Sequence, residues 1–250
     1  MIVLKTASQI KLMREACVIS ANALKLASQA VTPGVSTKEI NTLTENYIRK
    51  CGAIPSFLGY NGFPAAACIS VNNEVIHGIP STGRILKDGD IVSIDIGAFY
   101  NGFHGDNAYT AYCGTPSKEA VALCEATKES LYQGIAAIKT GARIGDISSA
   151  VQRYVENRGF SVVRDFVGHG VGANLHEDPP VPNYGKEGRG VRLTEGMTLA
   201  IEPMVNAGKP EIAVLNDEWT VVTRDGSLSA HFEHTVLITE DGAIIMTKPD

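Results

Sequence analysis

Ile10, Met13, Cys17, Ala21 and Leu24 recur at the spacing of three to four residues that lines one face of an α-helix. Thr6, with Gln9 three positions on, supplies the reciprocal side-chain-to-backbone pairing that opens such a helix. Ser36 and Glu39 repeat the signal, and Gly52, free to turn left-handed past a helix end, stops the element they open. A third helix is predicted from Ser117, with Val121, Cys124, Leu131, Ile135 and Ile138 aligned, and a fourth from Ile147, Val151 and Tyr154. β-rich runs bounded by turn residues predict strands at 66–71, 91–98, 107–113, 160–165, 198–204, 218–223, 232–239 and 243–247. Helices and strands are segregated, and successive strands follow through short turns, which predicts an antiparallel α+β fold.

The pattern is built twice. Displaced by 107 residues, Gly34 falls on Gly141, Ile40 on Ile147, Tyr47 on Tyr154 and Gly52 on Gly159. The run from Leu86 to Asp95 falls on that from Leu193 to Glu202: an acidic-Gly turn, then a strand ending in a carboxylate. The expectation is one domain over 1–250 made of two related halves, about 1–115 and 116–250, sharing a duplicated sheet with helices on its outer side.

A chain of 250 residues, 44% hydrophobic and 20% charged, has the composition of an ordinary globular protein. No apolar run reaches the 18 residues that spanning a membrane demands, and Lys5, Lys11 and Arg14 interrupt the N-terminal segment where an export signal would need an unbroken apolar stretch. Cys17, Cys51, Cys68, Cys113 and Cys124 are odd in number and form no Cys-x-x-Cys, against a disulfide framework or a cysteine zinc finger and in favour of a reducing cytoplasm. A net charge of −5 argues against DNA as a partner, since affinity for a phosphate backbone rests on a basic surface. The local basic cluster is Lys186, Arg189 and Arg192.

Charge sits where a core is expected. Two-residue periodicity puts Val92, Ile94, Ile96 and Ala98 on one face of their strand and Ser93, Asp95 and Gly97 on the other. In the matching strand Ala200 and Glu202 share the second face. A carboxylate moved into a low-dielectric interior costs several kcal/mol unless it protonates or meets a cation, and neither strand holds Lys or Arg. Asp106 lies just past the turn expected at Tyr100-Asn101-Gly102, Glu233 lies inside an apolar run, and His169 is enclosed by glycines. Singly, such residues are more often turn or edge positions than ligands. Together, four carboxylates and one imidazole are the donor set for a pair of hard divalent cations. Rival signatures are absent: the Gly168–Gly172 run lacks dinucleotide-loop spacing, and there is no Gly-x-Ser-x-Gly, His-Glu-x-x-His or phosphate-binding loop. Cys68, in an apolar strand, reads as a small hydrophobe rather than a nucleophile.

Ile76-His77-Gly78-Ile79-Pro80, Gly102-Phe103-His104-Gly105-Asp106, Gly168-His169-Gly170-Val171-Gly172, His176-Glu177-Asp178-Pro179, Ile201-Glu202-Pro203 and His231-Phe232-Glu233-His234-Thr235 closely resemble bacterial type I methionine aminopeptidases, in that family's order and over about 2–247. The resemblance implies the "pita-bread" α+β fold, itself an internal duplication. It implies Asp95, Asp106, His169, Glu202 and Glu233 as ligands of two divalent ions, with Asp106 and Glu233 bridging, and His77 and His176 as substrate-contacting histidines. Fe(II), Mn(II) or Co(II) fits an oxygen-rich site with one imidazole, and Zn is a further candidate.

The reaction so implied is attack on the carbonyl of an N-terminal methionine by a hydroxide bridging the two ions, ahead of a small second residue. Glu202 serves as general base and then acid, His176 faces the developing oxyanion, and His77 contacts the peptide nitrogen or the next residue. Phe57, Tyr60, Phe63, Cys68, Leu175 and Trp219 stand where relatives line a pocket for the methionine side chain. Phe57 replaces a cysteine and Leu175 a phenylalanine found in some relatives, which alters pocket shape but not chemistry. The implied partners are nascent-chain N-termini and peptides, with transient ribosome contact through the Lys186–Arg192 loop, and the implied state is a cytoplasmic monomer. Proline-specific peptidases of the same fold are the rival, but they usually carry an extra N-terminal domain that 250 residues cannot hold.

Overall fold

The computed structural model describes residues 2–249. Helix α1 (Ala7–Gln29) opens on the Thr6–Gln9 capping box and α2 (Thr37–Lys50) on that of Ser36 and Glu39. The strands β1 (Ile54–Pro55), β2 (Ala67–Val71), β3 (Glu74–Ile76), β4 (Ile91–Tyr100) and β5 (Phe103–Tyr112) complete the first half. The second repeats the plan with α3 (Lys118–Ala136), capped by Ser117, and α4 (Ile144–Glu156). Its strands are β6 (Ser161–Val162), β7 (Gly168–Gly170), β8 (Glu177–Val181), β9 (Thr198–Ile201), β10 (Met204–Asn206), β11 (Ile212–Val214), β12 (Val221–Thr223), β13 (Ser229–His231), β14 (His234–Ile238) and β15 (Ala243–Ile245).

The duplication extends to backbone conformation: Gly34 and Gly141, Gly52 and Gly159, and Gly89 and Gly196 all have positive φ. All strand pairings are antiparallel, in a β4-centred sheet flanked by β1, β2 and β5 and a five-stranded sheet ordered β15-β14-β9-β7-β8, with two smaller three-stranded sheets. Helices α1 and α2 cover the first half: Val92, Ile94, Ile96 and Ala98 pack with Leu24, Ala27, Ile40 and Ile48. Leu123, Leu131, Ile147 and Val155 of α3 and α4 pack on Leu199, Ile201, Val205 and Val236 in the second.

A tight hairpin fixes the register that matters. Asn101 (φ 49°) and Gly102 (φ 84°) form a two-residue turn whose left-handed residues match the strand twist. The turn pairs Tyr100 with Phe103, hence Asp95 with Ala108 and Gly97 with Asp106, so both aspartates project from one face. Across the seam between halves, Thr235 accepts from the Asp106 amide at 3.2 Å and donates to its carbonyl at 2.7 Å, and the Glu233 amide donates to Ala108 at 2.9 Å.

One expected strand is divided and another starts late. The run at 198–204 breaks between Ile201 and Met204, where Pro203 has no N–H for a ladder, and the run at 232–239 begins only at His234 after β13 ends at His231. Both breaks fall on carboxylates, Glu202 and Glu233. Among the described residues no helix is long and apolar enough to cross a membrane.

Candidate metal centre and substrate cavity

One cavity of about 180 Å³ is lined by all the residues expected as metal ligands, substrate contacts or pocket walls: Asp95, Asp106, His169, Glu202 and Glu233, His77 and His176, and Phe57, Tyr60, Phe63, Cys68, Leu175 and Trp219. Asn61, unmarked by any sequence motif, joins them. A larger groove of about 490 Å³ lies between α1 and α3 on the helix-covered side, but it meets the acidic cluster only at Glu233.

At the floor, a carboxylate oxygen of Asp106, one of Glu233 and a ring nitrogen of His169 lie within 4.8 Å of one another. Nε2 of His169 is 3.8 Å from Asp106 and 3.5 Å from Glu202. His169 Nδ1 donates to the Gly170 carbonyl at 2.8 Å, which leaves Nε2 as a bare lone pair pointed at carboxylate oxygens. Burial and the neighbouring His176 hold this imidazole down at about 3, so it is neutral and makes no ion pair with those acids. Asp95 is pushed well above the carboxylate range by burial and by the charges of Asp106 and Glu202. Glu202 is raised by burial and Asp106, Glu233 by burial and Asp106, Asp95 and Glu202, and Asp106 by burial to about 7. Asp95 Oδ1, Asp106 Oδ1 and Glu233 Oε1 are buried without a hydrogen-bond partner. Crowded acids, orphaned oxygens and an unprotonated imidazole lone pair together fit divalent cations held by oxygen and one nitrogen.

Above the floor the wall is apolar. Phe57, Phe63, Cys68 and Leu175 are buried together, with Tyr60 and Trp219 packed against them. Phe63 meets Trp219 edge-on at 5.1 Å. Cys68 faces Asp95 across the β2–β4 pairing, and burial raises its thiol well above the usual range, which leaves it an uncharged wall.

The two histidines are held by different means. His77 takes φ 59°, a left-handed backbone that side chains rarely adopt. It is kept there because Gly78 bonds Ser70 and Ile69 of β2 so closely that any Cβ on it would collide with the Ile69 carbonyl. His176 stands at the mouth, its Nδ1 2.7 Å from the Tyr60 hydroxyl. His104 Nδ1 lies 2.9 Å from Ser56 Oγ and His234 Nδ1 2.9 Å from Thr247 Oγ1, and neither residue lines the cavity.

The model of metallopeptidase family M24 matches residues 11–240. Methionine aminopeptidase 1 of Bacillus subtilis is 54% identical over 248 residues, covering 99% of this chain and 100% of that one. The chain belongs to the methionine aminopeptidases of family M24. A crystal structure of methionine aminopeptidase from Thermotoga maritima superposes on this M24 chain with a TM-score of 0.98 at 49% identity, covering 99% of this chain and 100% of that one. Prolidase from Pyrococcus furiosus superposes with a TM-score of 0.79 at 28% identity, covering 99% of this chain and 66% of that one. The pita-bread fold is thereby established, with the proline-specific enzymes as more distant neighbours.

Several residues that support the cavity of this M24 protein have no sequence signal of their own. Asn183 donates to the Glu202 carbonyl at 2.9 Å, fixing the backbone beside Pro203. Lys5 reaches Glu177 at 2.6 Å, both side chains almost fully buried, while the other Glu177 oxygen accepts from the Asn174 amide. This pair ties the N-terminal segment to the loop that presents Leu175 and His176. Lys5→Met is expected to leave Glu177 buried without its cation at a cost of roughly 3–5 kcal/mol, far more than an exposed pair would show. Urea unfolding of the two proteins measures it, and a loss below about 1 kcal/mol would mean that water replaces the lysine.

Proposed function

We propose that this protein removes the N-terminal methionine from peptides and nascent chains whose second residue is small, using two divalent metal ions. The observation that carries the reading is the junction, in one cavity, of a floor of mutually repelling acids with an apolar wall. At about 180 Å³ the cavity is below the roughly 300 Å³ of drug-sized sites and suits one amino-acid side chain.

Asp95, Asp106, His169, Glu202 and Glu233 would hold the ions. Fe(II), Mn(II) or Co(II) is favoured over Zn(II) by a set of four carboxylates and one imidazole. Such ions acidify water and polarise a carbonyl, so that hydrolysis proceeds near neutral pH. Glu202 takes the proton from the attacking water and returns it to the departing amine. His176 donates to the oxygen on which charge develops. His77, neutral because burial and His176 hold it down at about 4, contacts the scissile nitrogen or the following residue. The substrate amine sits near Asp95, which confines cleavage to a chain end. The Phe63–Trp219 wall takes the unbranched thioether.

All of these side chains come from one chain, so a monomer over 1–250 suffices as the catalytic domain, with halves about 1–115 and 116–250 each supplying two of the acids. Free cysteines throughout the described residues support a reducing cytoplasm. The exposed loop with Lys186, Arg189 and Arg192 is the surface that transient ribosome contact would use.

The test is methionine release from Met-Gly-Ser by chelator-stripped protein supplied with Mn(II), Co(II) or Fe(II), beside Leu-Gly-Ser and Ala-Pro peptides. Turnover restricted to the methionine peptide is expected. Preference for Ala-Pro would make the protein a proline-specific enzyme, and no turnover despite metal binding would leave a peptide-binding module.

A further inference from the structure

His231 is buried and lies outside the cavity lining, so no substrate can reach it. Its backbone is clamped from the other half of the molecule: its amide donates to Thr110 Oγ1 at 2.9 Å, and that hydroxyl donates to its carbonyl at 2.8 Å. Ser93 Oγ lies 2.9 Å from the same hydroxyl and, because Thr110 has spent its one proton, donates to it. On the other flank, β10 pairs Met204 with His231, two residues beyond Glu202. With the backbone held this firmly, the side chain still has Nε2 buried and without a hydrogen-bond partner. The atom facing it is Glu202 Oε2 at 3.6 Å, while Glu202 Oε1 faces His169 Nε2 at 3.5 Å.

Each oxygen of Glu202 therefore meets a different imidazole. The His169 ring presents a lone pair, because its proton is engaged at Gly170. The His231 ring is free to present N–H, and closing its gap by about 0.5 Å makes an ordinary hydrogen bond. We propose that His231 is a positioning residue that holds Oε2 of Glu202 through an N–H donor, so that Oε1 is turned toward His169 and the metal ions. The proposal rests on the reading of Glu202 as a metal ligand. Groups that hold a ligating carboxylate by its outer oxygen set metal affinity as well as rate, typically by 10–100-fold.

The experiment pairs two unbranched replacements of similar length in the full chain, His231→Gln, which keeps an N–H donor, and His231→Met, which does not. Mn(II) affinity is measured by calorimetry on chelator-stripped protein, kcat and KM on Met-Gly-Ser, and Tm on each variant. His231→Met is expected to lose about 10–100-fold in Mn(II) affinity and in kcat with KM within a few-fold, while His231→Gln recovers most of both at a similar Tm. Equal Mn(II) affinity and kcat in the two variants would overturn the proposal, since filling space would then be all that His231 does. Glu202→Gln separates the underlying reading: if it binds Mn(II) as tightly as the parent, Glu202 is no ligand and the proposal falls with that assignment, whatever the His231 pair shows.

Discussion

Asp106→Asn is expected to abolish methionine release by a factor on the order of 10³ or more while leaving the metal-free protein at least as stable as the parent. The two effects have one origin. Asp106 stands in the middle of the acids, and its charge contributes to raising Asp95, Glu202 and Glu233. Removing that charge relieves repulsion in the metal-free site, yet on the proposed reading it also removes a carboxylate oxygen that would hold metal. Thermal unfolding and turnover on Met-Gly-Ser check the two halves of the statement separately, and excess Mn(II) is expected not to rescue the variant. The parent carries a pH signature as well. Burial pushes Asp106 up to about 7 in the metal-free folded chain, against about 3.9 when unfolded, so between those values the native state holds the extra proton. Its contribution to metal-free stability is therefore lost as pH rises through that window, and a cation must displace fewer protons at the upper end. The rise in Tm on adding Mn(II) is expected to be larger at pH 7.5 than at pH 5.5, and equal rises would mean that the acids are not what the ion meets.

How far the sequence reaches into this site depends on which forces are local. Capping boxes at Thr6 and Ser36 and the turn at Asn101-Gly102 act over a few residues, and each appears as read. The duplication was legible up to Glu202 and then lost, for a structural reason. In the first half the strand of Asp95 turns directly into that of Asp106, whereas in the second β10 to β13 are inserted between Glu202 and Glu233. The pairs Asp95–Asp106 and Glu202–Glu233 are counterparts that no constant displacement could align. What stayed hidden are contacts made across long separations: Lys5 with Glu177, Asn183 with Glu202, Thr110 with His231. A buried lysine near the N-terminus looks like any solvated one until the fold closes over it. Strand breaks at Glu202-Pro203 and Phe232-Glu233 were missed because apolar patterning continues through them, although Pro203 itself was a readable stop.

His176→Ala is expected to lower kcat about 10²–10³-fold with little change in KM, the loss typical of one donor to a developing oxyanion. The argument depends on which ring nitrogen holds the proton, and Tyr60 decides it. Burial and the Asp106 charge raise the Tyr60 phenol above 10, so at neutral pH it keeps its hydrogen, and burial lowers His176 below 6.5, so the imidazole is neutral. A phenol 2.7 Å from Nδ1 then donates to it, and the ring proton is driven to Nε2, the nitrogen left to face substrate. Tyr60→Phe keeps the ring that stacks against His176 at 5.2 Å but frees Nδ1 to take the proton half-way round the ring. Its kcat is expected to fall about 10-fold, less than for His176→Ala, with KM for Met-Gly-Ser nearly unchanged. Wild-type kcat in Tyr60→Phe would show that the hydroxyl does not set the tautomer. Intact kcat with a raised KM in His176→Ala would make His176 a substrate-binding residue, and the oxyanion would then have to be met by the metal ions alone.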